Sequence, residues 1–262
     1  MNSSTSGRGV VLRRGGEMPI IGFGTWRLEG EVARAAVLRA LEVGYRHIDT
    51  ATMYQNEKEV GLAAIDSGLR REELFITTKI LSDAPSVRGT IEKSLADLQT
   101  DYVDLWLIHW PPGDRGTSRA LYREMLAVRD LGLARAIGVS NYAVAEIDDL
   151  TAATGEAPEV NQVPWSPYLY DPSLQRELDE RGIVLEGYSP FRRSQLDDPV
   201  LVAIAAEKGV TPAQVVLRWH VEHGVVAIPR SHQPDRIAGN FEVFGFSLGA
   251  ESMQRLDALS SH

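Results

Sequence analysis

The amino-acid sequence predicts a (β/α)8 barrel, and three observations support this fold class. The chain has 262 residues, about the size of one such barrel, and 44% of them are apolar, which is enough for a large buried core. Short apolar runs alternate with amphipathic helical stretches along the chain, as parallel strands covered by helices require. No shift of composition or Pro/Gly/Ser-rich linker divides it, so we predict a single domain over residues 1–262.

Eight apolar runs have the length and composition of buried parallel strands. They are Ile20–Gly24, Tyr45–Asp49, Leu74–Lys79, Val103–His109, Ala134–Val139, Glu159–Gln162, Ile183–Tyr188 and Val225–Pro229. The preceding stretch Val10–Met18, with Gly15-Gly16 as its turn, is predicted to form a hairpin that covers the N-terminal mouth of the barrel. The Ser/Gly-rich stretch Met1–Arg8 lacks the apolar core of a signal peptide, and we interpret it as a disordered tail.

Ten helical stretches are predicted, and glycine and proline set several of their bounds. Gly44, Gly68 and Gly182 follow three of them, and Pro212 takes the first position of another. The predicted helices are Glu31–Val43, Asn56–Ser67, Ser86–Leu98, Ser118–Leu131, Ala143–Ala153, Pro172–Arg181, Asp198–Lys208, Pro212–His223, Gln233–Asn240 and Ala250–Leu259.

An open, doubly wound sheet is the alternative for eight strand-helix units. A dinucleotide-binding sheet of that kind should carry G-x-G-x-x-G between its first strand and first helix. The chain has Gly22-Phe23-Gly24-Thr25-Trp26-Arg27 there, with no third glycine in place. The barrel is therefore favoured.

Composition and charge exclude several classes of function. The net charge of −9 and the lack of a basic tract disfavour nucleic acid and anionic membranes as partners. The chain has no cysteine, which excludes disulfides, thiolate metal sites and a cysteine nucleophile and fits a reducing cytoplasm. His220 and His223 lack the spacing of a zinc protease motif, so no metal site is predicted. We expect a cytoplasmic monomer.

The C-terminal ends of the strands are where a (β/α)8 barrel places its active site. Polar side chains stand at these ends in strands two to eight, while the first strand is followed by Trp26. The polar residues are Asp49, with Tyr54 shortly after it, then Lys79, His109, Ser140-Asn141, Gln162, Tyr188-Ser189 and Arg230-Ser231.

A buried Asp, Lys, Tyr and His suggest acid/base chemistry on a carbonyl group. The tyrosine hydroxyl has a pKa of about 10 in water and needs a neighbouring cation to become a useful proton donor. Lys79 is the candidate cation, and a carboxylate such as Asp49 would keep that lysine charged. His109 is expected to hydrogen-bond the substrate oxygen.

Several segments, in order from about Pro19 to Leu259, resemble the aldo-keto reductase family, and specifically its bacterial diketogluconate reductase-like branch. One such match would be weak, but the set is specific. The matching segments are Gly44–Ala51 with Tyr54–Glu57, Thr77–Lys79, Ile108–Pro111, Gly138–Tyr142, Val160–Gln162, and Ile228–Ser231 with Arg236, Ile237 and Asn240.

The resemblance implies an NADPH-dependent reductase of small carbonyl compounds. It makes Asp49, Tyr54, Lys79 and His109 the catalytic tetrad, with Tyr54 as the general acid. The residues that it implies for NADPH (or NADP+) are Ser140, Asn141 and Gln162 at the nicotinamide carboxamide, Tyr188 stacked on the nicotinamide ring, the backbone of Ser189–Phe191 near the pyrophosphate, Arg230, Ser231 and Arg236 at the 2′-phosphate, and Asn240 at the adenine.

The chain departs from the family pattern at three places. Arg230 replaces the usual lysine and keeps its charge. Gly239 replaces a glutamate near the adenine, which removes one contact. Phe191-Arg192-Arg193-Ser194 replaces a Leu-Gly-rich loop, and Arg192 or Arg193 could pair with the phosphates there.

The substrate pocket is expected to be open and apolar. Trp26 and Trp110, with Tyr54 and His109, are predicted to contact substrate, and Trp165 is interpreted as a further wall. The segment Pro111–Thr117 is short, the loop after Pro190 is reduced, and the chain stops directly after its final predicted helix. These features predict broad activity on small aldehydes and dicarbonyls.

Two other function classes remain open. One is a regulatory or structural barrel that binds a nucleotide without turnover, although the complete tetrad disfavours it. The other is a phosphate-handling lyase or isomerase that would use Lys79 as a Schiff base.

Overall fold

A computed structural model of the chain describes residues 8–14, 16–191 and 195–261. Eight parallel strands pair in sequential order, β3 to β10, and each lies within or overlaps one of the eight predicted runs. The barrel strands are β3 (Phe23–Gly24), β4 (His47–Asp49), β5 (Phe75–Ile80), β6 (Val103–Ile108), β7 (Ala134–Ser140), β8 (Val160–Pro164), β9 (Val184–Tyr188) and β10 (Val226–Ile228). The predicted barrel is confirmed.

Helices connect the strands and form the outer layer, and all ten predicted helices are present. They are α1 (Gly30–Val43), α2 (Glu57–Asp66), α3 (Val87–Leu98), α4 (Arg115–Asp130), α5 (Val144–Thr154), α6 (Pro172–Glu180), α7 (Pro199–Lys208), α8 (Pro212–Glu222), α9 (Pro234–Phe241) and α10 (Ala250–Asp257). Helix α4 begins three residues earlier than predicted, because the Asp114 carboxylate accepts a hydrogen bond from the Thr117 backbone N–H at 2.8 Å and caps the helix.

The barrel closes where its first and last strands meet, along a short seam. The backbone N–H groups of Gly22 and Gly24 donate to the carbonyls of Ala227 and Pro229, at 2.9 and 3.0 Å, and the Ala227 N–H donates to Ile20 O at 2.9 Å. Glycine is needed at this close approach. A Cβ on Gly24 would lie 3.0 Å from the carbonyl oxygen of Ile228, and one on Gly22 would lie 2.5 Å from the His47 ring.

The N-terminal hairpin covers the N-terminal mouth of the barrel, as predicted. Strands β1 (Gly9–Leu12) and β2 (Gly16–Pro19) pair antiparallel. The Arg13 guanidinium donates to the carbonyls of Ala157 and Pro158, which directly precede β8. Of the predicted tail and turn, residues 1–7 and 15 lie outside the described residues.

The interior of the barrel changes from apolar to polar towards the C-terminal ends of the strands. Side chains alternate between the two faces of a strand. His47 and Asp49 therefore share one face of β4, and Thr77 and Lys79 share one face of β5. Gln162 on β8 lies beside Glu186 on β9. All six side chains are buried, and they form a polar layer directly beneath the cleft described below.

Over the described ranges, no single helix is both long and apolar enough to cross a membrane. Helices α7 and α8 reach that length and composition only as a pair, and they are bent by 86° relative to each other.

Candidate active site

A cleft of about 520 Å³ lies at the C-terminal ends of the barrel strands, within the size range of small-molecule sites. It brings together most of the predicted site residues, which come from all parts of the chain. The residues that line it are Gly24, Trp26, Asp49, Met53, Tyr54, His109, Trp110, Ser140, Asn141, Gln162, Tyr188, Ser189, Pro190, Phe191, Ile228 and Arg230.

An ion pair and a tyrosine hydroxyl form the floor of this cleft. The Lys79 ammonium donates to Asp49 Oδ1 at 2.6 Å and to the Thr50 carbonyl at 2.9 Å. Its Nζ also lies 3.5 Å from the Tyr54 hydroxyl oxygen. Lys79 is fully buried, whereas Asp49 and Tyr54 both line the cleft.

Electrostatics keep both Lys79 and Tyr54 protonated. Burial lowers the pKa of Lys79, but the interactions with its neighbours, first of all Asp49, together outweigh that effect, and the pKa is raised overall. Burial also raises the pKa of Tyr54, and the charge of Lys79 opposes that rise only in part. The sequence led us to expect an acidified tyrosine. Instead, Tyr54 holds its proton in the free site, and Lys79 stands where it would stabilise a phenolate formed during a reaction.

His109 is a neutral imidazole beside Tyr54. Burial and the charge of Lys79 lower its pKa to about 3. Its ring lies edge-on to the Tyr54 ring, with centroids 5.6 Å apart, and stacks on Trp110 at 3.9 Å. Two aromatic neighbours therefore fix the ring, which can offer a single hydrogen bond to an oxygen in the cleft.

A hydrogen-bonded group of side chains forms a further part of the cleft wall. The Tyr188 hydroxyl donates to Asn141 Oδ1 at 2.9 Å, and Asn141 Nδ2 donates to the His109 carbonyl and to Ser140 Oγ. Ser140 Oγ in turn donates to the Gln162 carbonyl at 2.9 Å. Asn141 has a φ of 64°, in the left-handed region that asparagine tolerates. These bonds hold the amide and hydroxyl groups in fixed orientations.

The residues predicted at the cofactor phosphates and adenine lie after β10. Arg230 lines the cleft. Ser231 lies between Arg230 and α9, and Arg236 and Asn240 lie on α9. Neither Arg230 nor Arg236 pairs with a carboxylate among residues 8–14, 16–191 and 195–261. In a chain with a net charge of −9, two such guanidinium groups suit an anionic ligand. Arg192, Arg193 and Ser194 lie outside the described residues.

Trp26 and Trp110 line the cleft as predicted, and Met53 is a wall residue that the sequence analysis missed. The interpretation of Trp165 as a wall is wrong, because its side chain is only 1% exposed and packs beneath the surface, edge-on to Tyr170. Gly187 on β9 makes room for it, since a Cβ there would lie 2.8 Å from the Trp165 Cβ.

His220 and His223 are used in packing contacts within α8 and around it. His220 is within hydrogen-bond distance of the carbonyls of Val216 and Trp165, and His223 contacts Asp257 Oδ1 at 2.8 Å. Val216, Trp165 and Asp257 are therefore the polar partners of these two imidazoles.

Glu186 is a buried carboxyl group next to the site that sequence reasoning missed. Its Oε2 accepts a hydrogen bond from Gln162 Nε2 at 2.9 Å, and its Oε1 lies 3.7 Å from His47 Nε2. Burial, followed by the charge of Asp49, raises its pKa to about 8. A glutamate two residues before Tyr188 in an otherwise apolar run was the available signal, because residues i and i+2 of a strand share a face.

The raised pKa of Glu186 predicts a pH-dependent stability difference. A glutamate in an unfolded chain titrates near about 4.3. Between that pH and the folded-state pKa the folded protein holds one extra proton, so its free energy of unfolding falls as pH rises. Glu186→Gln has no such proton. We expect its stability relative to wild type to increase by on the order of a few kcal/mol from about pH 5 to about pH 8. Urea unfolding of both proteins across this range measures it, and parallel curves would contradict it.

Comparisons with known proteins agree with this geometry. Residues 20–261 match the model of the Aldo/keto reductase family. The chain is 43% identical to an aldo-keto reductase of Mycolicibacterium vanbaalenii (99% of this chain, 94% of that protein) and 42% identical to glyoxal reductase of Bacillus subtilis (96% and 92%). The crystal structure of an aldo/keto reductase from Brucella melitensis superposes with a TM-score of 0.92 at 37% identity, covering 96% of this chain and 98% of that one.

Proposed function

This chain belongs to the aldo/keto reductase family, and from that premise we propose that it reduces small aldehydes and α-dicarbonyls to alcohols with NADPH. Members of the family are oxidoreductases that act on carbonyl groups with a nicotinamide cofactor. The observation that carries the proposal is the buried Lys79–Asp49 pair beneath the Tyr54 hydroxyl, with neutral His109 beside it in the cleft. Loss of NADPH absorbance with methylglyoxal is the direct test.

Proton transfer is the part of the reaction that we assign to the chain's own residues. The Tyr54 hydroxyl gives its proton to the carbonyl oxygen, and the Lys79 charge, 3.5 Å from that hydroxyl, stabilises the phenolate that remains. Asp49 keeps the buried Lys79 protonated. His109, held between Tyr54 and Trp110, orients the carbonyl oxygen by one hydrogen bond.

The cleft fits a nicotinamide cofactor, which would supply the hydride when bound. Ser140, Asn141 and Gln162 present amide and hydroxyl groups on one wall, where a carboxamide could be held. Arg230 and Arg236 are the cations for the phosphates. Their guanidinium groups pair with no carboxylate in the described part of the chain, and they support NADPH over NADH, because only NADPH carries the 2′-phosphate.

Arg236→Ala is expected to weaken NADPH binding far more than NADH binding. A charge-assisted bond to a phosphate contributes about 1.5–3 kcal/mol, or roughly 10–100-fold in affinity. Titration of intrinsic fluorescence with each cofactor measures the two dissociation constants. Arg255→Ala is the matched control, because Arg255 lies on α10 and pairs with Glu207, and it should change neither constant. Equal losses for both cofactors in Arg236→Ala would show a structural role instead.

The walls of the cleft support a broad range of small substrates. Trp26, Met53 and Trp110 are 43%, 40% and 40% exposed, so three large apolar side chains line the site without being enclosed by the described residues. Few polar groups face the substrate beyond Tyr54 and His109, which limits differential binding between related compounds. One relative carries the name glyoxal reductase, which also supports reactive α-dicarbonyls as substrates.

A substrate panel tests this expectation. We expect kcat/KM values for small aldehydes and α-dicarbonyls to lie within roughly 10–200-fold of one another, the discrimination that apolar contacts typically provide. Keto-sugars and bulky steroids should be poorer, since the described residues do not enclose them. A steroid with a kcat/KM several orders of magnitude above that of methylglyoxal would contradict the open-cleft argument.

The Schiff-base alternative is disfavoured by the state of Lys79. A lysine nucleophile must lose its proton and reach the substrate. Lys79 is fully buried, ion-paired with Asp49, and its pKa is raised. Borohydride treatment in the presence of a carbonyl substrate should therefore leave no label on Lys79.

A further inference from the structure

We propose that Glu186 is a positioning residue that locks the Gln162 side chain with its amide nitrogen towards the barrel interior and its carbonyl oxygen towards the cleft. Gln162 then meets a bound ligand only as a hydrogen-bond acceptor. This inference rests on the proposed function for the identity of the ligand, the carboxamide of a nicotinamide cofactor, but its structural basis lies in the polar layer beneath the cleft.

The first step of the argument is the pair of bonds made by the Gln162 amide nitrogen. Nε2 donates to Asp49 Oδ2 at 2.8 Å and to Glu186 Oε2 at 2.9 Å. A side-chain amide nitrogen carries two hydrogens. Both are therefore used by carboxyl groups inside the barrel, and Gln162, which is only 2% exposed, has its carbonyl oxygen left for the cleft that it lines.

The second step is that the reversed amide is unfavourable. Rotation by 180° would turn the Gln162 carbonyl oxygen towards the Asp49 carboxylate, where lone pairs would face one another, and would take the Nε2 hydrogens away from Asp49 and Glu186. With Glu186 removed, one N–H of Gln162 would be left without a partner in the barrel interior, and such a buried donor is costly.

The third step is that Glu186 has no stronger partner that would explain its burial. Its Oε2 is engaged with Gln162, and its Oε1 has no hydrogen-bond partner among the described residues. His47, 3.7 Å from Oε1, is a neutral imidazole engaged with Thr77, since burial and Lys79 lower its pKa to about 3. The bond to Gln162 is thus the polar contact that this buried carboxyl group makes.

The chemical consequence is a selective contact with the cofactor. A carboxamide has N–H donors and can bond to the Gln162 carbonyl oxygen. An acetyl group has the same shape and a carbonyl oxygen but a methyl group in place of the NH2. An acceptor-only Gln162 therefore discriminates between a carboxamide and an acetyl group, whereas a freely rotating amide would serve either.

The experiment compares equilibrium binding of NADP+ and of its 3-acetylpyridine analogue, followed by quenching of tryptophan fluorescence, with Trp26 and Trp110 in the cleft as reporters. Wild type should bind NADP+ roughly tenfold more tightly than the analogue. In Glu186→Leu this ratio should fall to about threefold or less. In Glu186→Gln it should be retained, because the new amide still offers Gln162 a carbonyl oxygen.

Two further variants separate positioning from general damage. Glu57→Leu removes another buried glutamate, whose carboxylate accepts from Thr78 Oγ1 at 2.6 Å, far along the chain from Gln162, and it should leave the ratio unchanged. In a Gln162→Leu background, Glu186→Leu should cause no further change in the ratio. This comparison remains decisive if the single Glu186→Leu protein is poorly folded.

Equal weakening of both ligands in Glu186→Leu, or a wild-type ratio near one, would overturn the role of Glu186. If wild type at the same time consumes NADPH with methylglyoxal, the proposed function stands and only the positioning role fails. If wild type binds NADP+ with the expected ratio but reduces no carbonyl compound, the positioning role stands and the proposed function fails.

Discussion

Tyr54→Phe is expected to lower kcat by about 10²–10⁴-fold while leaving the cofactor dissociation constant nearly unchanged. Tyr54 lies 3.5 Å from Lys79 Nζ, and its hydroxyl is the protonated acid that meets the cleft next to His109. Phenylalanine keeps the ring and its edge-on contact with His109 but has no proton to give. Steady-state kinetics with methylglyoxal, together with fluorescence titration of NADPH, measure the two quantities.

Tyr122→Phe is the matched control for this substitution. Tyr122 is a buried tyrosine on α4 whose hydroxyl has no hydrogen-bond partner among the described residues. It loses the same atom but lies fully buried and does not line the cleft, and it should retain ordinary turnover. Near-normal kcat in Tyr54→Phe would remove Tyr54 from the role of general acid.

Lys79→Met is expected to lower the free energy of unfolding by about 3–5 kcal/mol, because it leaves the Asp49 carboxylate buried without its cation. Lys79 is fully buried, and its bond to Asp49 is 2.6 Å long. The remaining partner of Asp49, the Gln162 amide, is neutral and cannot replace a charge. Urea unfolding at neutral pH measures the loss.

The double variant Asp49→Asn, Lys79→Met should recover a large part of that stability, since no unpaired charge remains. Neither protein should reduce carbonyl compounds, because a phenolate at Tyr54 would have no cation beside it. A loss below about 1 kcal/mol in the single variant would mean that water reaches Asp49, and the buried ion pair would then have the small energy typical of exposed pairs.

The strand-end rule explains why so much of the site could be predicted from the sequence. Once the eight apolar runs were assigned to one barrel, the residues after them had to converge at one mouth. The cleft does contain Asp49, His109, Gln162 and Arg230, which lie in or just after four different strands. The resemblance to the aldo-keto reductase family suggested the chemical role of each of these residues, and the roles themselves are proposals.

Sequence patterns did not predict the features of the site that depend on local backbone direction and on coupled electrostatics. Glu186 lies within an apolar run and was not predicted as a site residue, although its spacing from Tyr188 indicated an inward-facing carboxyl group. Trp165 follows β8 like a wall residue, but its side chain is buried and packs edge-on against Tyr170. The pKa of Tyr54 depends on a balance of burial against the Lys79 charge, and a one-dimensional pattern contains no measure of burial.

The seam between β3 and β10 affects the chain while the ribosome is synthesising it. About 200 residues separate Gly24 from Val226, the start of its partner strand, and at about 5–20 residues per second a ribosome needs on the order of 10–40 s to make them. During that interval β4 can pair with one edge of β3, but the other edge has no partner from its own chain. A nascent chain with such an exposed edge can pair with a neighbouring chain, which makes the last strand the one that ends this exposure.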